Sequence, residues 1–242
     1  MEQIRENSRI YTAFYQNKEP DGTMGWDELI RLLLGTEEYE GSKRENGLLI
    51  TGPEGCGRHT LLAQVIAIAV EKEYTPIFLT GEDLADGTSV QAEVLERMNA
   101  VLDRSVGEED RICLVLEQLE QLSSLPALMK LLERRLCRAS YGEAEDFFLV
   151  LIQESAFPIP SVLKGMLQVC RMQYPNRKRR ELFFKNHLRT FELKESLPMD
   201  QILDQTERFS YDELSNLVEL LEAGEKLLGG KIPERDLQEW ID

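Results

Sequence analysis

The clearest chemistry in this 242-residue chain lies in one continuous stretch, Gly52-Pro53-Glu54-Gly55-Cys56-Gly57-Arg58-His59-Thr60. Glycines at 52, 55 and 57 permit positive φ and a close approach of the backbone, so that successive N–H groups can converge on a phosphate. An apolar run, Leu48 to Ile50, leads into the loop, and a stretch with helical spacing, Leu61 to Val70, follows it. Strand, glycine-rich turn and helix in that order bring a helix N-terminus, with its unpaired N–H groups, to the same phosphate. The thiols offer less. Cys56, Cys113, Cys137 and Cys170 are far apart and form no C-x-x-C pair, which argues against a disulfide framework and against a zinc site. Arg177, Lys178, Arg179, Arg180, Lys185 and Arg189 cluster within NRKRRELFFKNHLR. Such a run could face an acidic partner or a phosphate, and we read it as a solvated helix face.

The elements that must position the loop follow from periodicity. Short apolar runs recur at Leu48 to Ile50, Ile77 to Leu79, Ile112 to Leu116 and Phe147 to Ile152, with a weaker fifth at Leu167 to Met172. Between them, Leu61 to Val70, Val90 to Leu102 and Leu125 to Leu136 have helical spacing, each able to cross from one parallel strand to the next. Alternation of this kind predicts an α/β sandwich around a mostly parallel, five-stranded sheet. Beyond Pro175 the strand signal stops. Ser210 opens a capping box with Glu213, and Leu214, Leu217, Val218 and Leu221 then share one helical face. The expected organisation is therefore an N-terminal helical arm and linker over 1–45, an α/β core over 46–175 and a small helical domain over 176–242.

Composition narrows the function classes. Hydrophobic residues make up 42% and charged residues 30%, as in globular domains, and no run approaches the roughly 18 apolar residues of a membrane helix. Twenty-eight Lys and Arg against 44 Asp and Glu give a formal charge of −16, which repels phosphate backbones and makes nucleic acid a poor partner. The first thirty residues contain no apolar core of a cleaved signal, so we expect a cytoplasmic protein that meets no membrane.

The loop GPEGCGRHT resembles the Walker A element of the AAA+ ATPases, usually written G-P-P-G-x-G-K-[ST], and its flanks GLLI and LLAQVIAIA resemble that family too. Trp26-Asp27-Glu28-Leu29 looks like the family's opening segment. The stretch from Arg179 to Leu221 looks like its helical lid. The resemblance covers most residues from 26 to 222, with the AAA clade proper as nearest relative. It implies a P-loop αβα sandwich followed by a lid. ATP or ADP is the implied cofactor, held by Gly52, Pro53, Gly55, Cys56, Gly57, Arg58, His59 and Thr60 together with Glu117.

The residues of the family's chemistry are replaced one after another. Arg58 stands where a lysine reaches the β and γ phosphates; it keeps the charge but is bulkier and differently directed. His59 stands where a Ser or Thr hydroxyl holds Mg²⁺, a cation that prefers oxygen, which leaves Mg²⁺ in doubt. Thr60 comes one residue late. The third apolar run ends Glu117-Gln118 where the Walker B element ends Asp-Glu. Glu117 remains a carboxylate able to hold the metal, whereas the amide of Gln118 cannot act as a base toward water. Ser155 is the best match to the sensor-1 polar residue. The segment Ser161 to Leu167 has no arginine finger, only Lys164, and Tyr211-Asp212 replaces a Gly-Ala close to the adenine. Loss of hydrolysis explains these changes together, and the resemblance then implies a pseudo-ATPase scaffold or assembly subunit. It would work beside a protein partner or within a homo- or hetero-oligomer of AAA+ subunits. The alternative is an unconventional, active ATPase that remodels a protein partner. A replication-type DNA-binding relative conflicts with the acidic charge.

Overall fold

The computed structural model describes residues 46–84, 95–100, 111–119, 125–140, 147–153, 159–188, 197–228, 232 and 239–241. The arm expected over 1–45, and Ser155 and Arg189, lie outside them.

All five apolar runs form strands: β1 (Gly47–Thr51), β2 (Tyr74–Thr80), β3 (Arg111–Glu117), β4 (Phe147–Gln153) and β5 (Gln168–Arg171). They make one sheet in the order β2-β3-β4-β1-β5, and every pairing is parallel. The sequence reading of a mostly parallel sheet is thus tightened to a fully parallel one. The reason is visible in β4, whose seven residues, FFLVLIQ, are all buried. A strand with no solvated side needs cover on both faces, and crossover helices supply it. Helix α1 (Arg58–Glu71) connects β1 to β2 and is buried at Leu61, Leu62, Val65, Ile66, Ile68 and Ala69, nearly all around its axis. Helix α2 (Gly81–Leu84) is a single turn fixed by Asp83, whose carboxylate accepts from the Thr80 N–H at 2.8 Å and from its hydroxyl at 3.0 Å. Helix α3 (Leu125–Ser140) is one-sided: Leu125, Leu128, Met129, Leu132 and Leu136 turn into the core against Leu114, Leu116, Leu149 and Leu151. Helix α4 (Ser161–Lys164) precedes β5. Of the stretch expected to be helical over 90–102, residues 95–100 are described and are helical, with Met98 fully buried.

The chain divides into two compact units. The strands with α1 to α4 form one; Pro53–Gly57 and the residues from Met172 onward form the other. In the second unit the described residues from 177 on contain helices and no strand: α5 (Arg177–His187), α6 (Met199–Gln205) and α7 (Tyr211–Leu228). Asn176 caps α5 by accepting from the Arg179 N–H at 3.0 Å. The capping box of α7 is formed on both sides, Glu213 accepting from the Ser210 N–H at 2.7 Å and Ser210 Oγ from the Glu213 N–H at 3.2 Å.

The basic run of α5 needs correction. Arg180 is only 3% exposed and donates to the carbonyls of Pro175 at 2.7 Å and Leu203 at 2.9 Å, closing chain ends inside the unit. Arg177 pairs with Asp200 and Asp204 on α6. Lys178 and Lys185 keep exposed positions, so the solvated face is narrower than the cluster of cationic residues suggests. The difference arises because α5 packs against α6, where Arg180 turns in toward the Leu203 carbonyl.

Candidate phosphate-binding site

The strand order fixes where a ligand crevice can open. From β1 the chain crosses by α1 to β2 at one edge, and from β4 it crosses by α4 to β5 at the other, although β1 and β4 are neighbours in register from Gly47–Leu149 to Thr51–Gln153. Connections that leave adjacent parallel strands in opposite directions define a switch point, and open α/β sheets bind ligands outside the strand ends there. The segment that leaves β1 at this point is Gly52–Gly57.

Within it Gly55 has φ 68° and Gly57 φ 91°, backbone that residues with a Cβ rarely adopt. Helix α1 starts at Arg58 directly after Gly57. The N–H groups of such an opening turn have no acceptor within the helix and suit an anion. Cys56 is buried and its N–H reaches the Pro53 carbonyl at 3.4 Å, a loose turn. Arg58 is 7% exposed, its guanidinium enclosed by the protein.

His59 is exposed, and its Nε2 lies 3.4 Å from Oε2 of Glu117, the last residue of β3. The sequence singles out both residues but not their contact; its only trace is an imidazole after the loop and a carboxylate at the end of another strand, β3, which β4 separates from β1. Their side chains are 53% and 20% exposed, so the pair is partly screened by water and marks proximity more than strength. It also decides a question of fit. Mg²⁺ takes octahedral oxygen ligands, whereas the loop contributes an imidazole here, already turned onto the carboxylate. Among the described residues no group of three or more His, Cys, Asp or Glu side chains converges on a point. These residues do not fit Mg²⁺.

Gln118 follows Glu117 with φ 54°, a left-handed conformation on a residue that carries a Cβ. Its carbonyl presses on Gly81, where an added Cβ would overlap the oxygen. The sequence carries only one trace of this close approach, the glycine directly after the β2 run. Thr60 is half-buried in the first turn of α1, and Lys164 is exposed at the end of α4.

In the other unit, the Tyr211 N–H donates to the Gly55 carbonyl at 2.8 Å, and a Cβ at Gly55 would lie 2.7 Å from Ser210 Cβ and 3.2 Å from Asp212 Oδ2. Tyr211 itself is buried, its ring tilted at 5.7 Å from that of Phe183. The start of α7 and the glycine loop therefore shape each other, a contact the sequence does not announce. No protein-family model matches this chain, and no curated protein matches it.

Proposed function

We propose that this protein is a degenerate AAA+ module, a P-loop αβα sandwich with a helical lid, that holds ATP or ADP statically and serves as an assembly or scaffold subunit. The observation that carries this reading is the Gly52–Thr60 connection: it leaves the sheet at its switch point, turns through positive φ at Gly55 and Gly57, and runs straight into α1. Phosphate binding needs only those N–H groups and the helix start. Hydrolysis needs a base for the attacking water as well, and the position after the β3 carboxylate is Gln118, an amide. Losing a positioned base costs about 10² to 10⁴ in rate. His59 in place of a hydroxyl removes the metal ligand too.

Function then lies in protein contacts, with a second copy or with an active AAA+ neighbour. A net charge of −16 disfavours nucleic acid, and no described helix is long and apolar enough to cross a membrane. All four cysteines are free thiols, which fits a reducing cytoplasmic setting. The test of the site is a titration of the full chain with a fluorescently labelled ATP or ADP, repeated with Gly57→Val, whose side chain cannot adopt the loop's backbone. Saturable binding to the parent protein, lost in the variant, supports the reading. Absence of binding, or equal binding to both, contradicts it. Light scattering with and without nucleotide tests the assembly role; a strict monomer that recruits no AAA+ partner contradicts that part.

A further inference from the structure

We infer that the ligand of this site is the metal-free nucleoside diphosphate, because the His59–Glu117 pair closes the place of the divalent cation. The inference rests on the nucleotide-site reading above and goes beyond it by naming the ligand's form. In P-loop proteins the cation bridges a hydroxyl at the end of the glycine loop to a carboxylate at a strand end, and it neutralises the terminal phosphates. In this protein the two ends of that bridge touch. Nε2 of His59, on the first turn of α1, stands 3.4 Å from Oε2 of Glu117, at the end of β3. An imidazole N–H donating to the carboxylate suffices for the contact. A hexa-coordinate Mg²⁺ would have to break the pair, and would gain one carboxylate and no hydroxyl in return.

Removing the cation changes which nucleotide is preferred. The phosphates are then compensated only by loop N–H groups, the α1 dipole and Arg58. Glu117 remains, held by His59 beside the first turn of α1. With no cation between them, a third phosphate extending past that turn meets this carboxylate as a like charge, which penalises the triphosphate more than the diphosphate. The same imidazole and carboxylate could instead recruit a softer divalent ion such as Mn²⁺ or Zn²⁺, and the experiment distinguishes that outcome.

The experiment measures binding of fluorescently labelled ADP and ATP to the full chain in EDTA, and then with Mg²⁺, Mn²⁺ or Zn²⁺. For the parent protein no metal should tighten ADP binding beyond its value in EDTA, any weakening matching the share of ADP that the metal complexes in solution, and ATP should bind about tenfold more weakly than ADP in EDTA. His59→Ser restores a hydroxyl and frees Glu117, so Mg²⁺ should then tighten binding about tenfold. Glu117→Gln removes the facing charge and should bring ATP to within about twofold of ADP in EDTA. Parent binding that Mg²⁺ strengthens overturns the inference. So does strengthening by Mn²⁺ or Zn²⁺, which would make His59 a metal ligand, and so does a His59→Ser variant indifferent to Mg²⁺. No binding under any condition overturns the nucleotide-site reading itself, a different result from binding that requires metal. Melting curves establish that both variants fold; should His59→Ser fail to, the ATP-to-ADP ratio of Glu117→Gln decides.

Discussion

Two connections leave the carboxyl edge of one parallel sheet, and both turn through left-handed backbone, but with opposite residue choices. After β1 the turn falls on Gly55 and Gly57, which adopt positive φ without steric cost. After β3 it falls on Gln118, where a side chain makes the same region unfavourable by roughly 1–2 kcal/mol. The first connection has residues matched to its shape. The second keeps a strained shape under a residue whose chemistry is mute. Strain of this kind persists where surroundings over-determine it, and here Gly81 lies directly against the Gln118 carbonyl. The difference teaches that backbone shape and residue chemistry are separable: after β1 the left-handed turn is carried by glycines suited to it, while after β3 the same region is held under an amide side chain.

The contrast can be broken most forcefully at Gly55. Gly55→Val combines a disfavoured φ with a Cβ driven into Ser210 at 2.7 Å. It should destabilise the protein by about 3 kcal/mol or more, read as a lowered midpoint in chemical denaturation, and should abolish nucleotide binding. An unchanged midpoint would mean that Ser210 and the loop do not meet as described. Gly81→Ala comes next. Its methyl overlaps the Gln118 carbonyl, and about 2 kcal/mol should be lost because the neighbour is backbone and cannot rotate away. Gln118→Gly should have the opposite sign, stabilising by about 1 kcal/mol at a position that already has positive φ. Destabilisation there would remove the claim of strain and with it the contrast.

Smaller effects sharpen the picture away from the loop. Ser210→Ala removes one arm of the α7 capping box and should cost about 1 kcal/mol. Cys113 lies within β3, fully enclosed, and burial pushes its thiol from an ordinary 9.0 up to about 12. The folded protein therefore favours the protonated thiol: its contribution to stability is complete below pH 9 and is lost as pH rises toward 12. Cys113→Ser should flatten the alkaline side of the stability profile slightly, and the parent thiol should resist alkylation until the protein unfolds.

Much of the scaffold is legible in the chain. A near-continuous apolar run as short as FFLVLIQ, rich in aromatic and branched residues, reads as a strand covered on both faces, and the Ser210–Glu213 spacing specifies a helix start by local hydrogen bonds. The loop is legible because glycine is the residue that its φ values demand. What the sequence does not reveal depends on which strand ends become neighbours. The His59–Glu117 contact joins residues 58 positions apart. The inward turn of Arg180 reflects packing of α5 against α6, and no local pattern distinguishes that arginine from Arg177 or Lys178. Gln118 gives no sign of positive φ, since the signal for it sits elsewhere, on Gly81.

The most direct test of the central claim, a phosphate cradle kept without its catalysis, is phosphate release measured with the same preparation that binds labelled nucleotide, alongside Arg58→Ala. The account predicts saturable binding by the parent protein, and phosphate release at the level of a protein-free control in parent and variant alike. Sustained turnover that disappears on Arg58→Ala would contradict it, because the altered loop would then still be working as a catalyst.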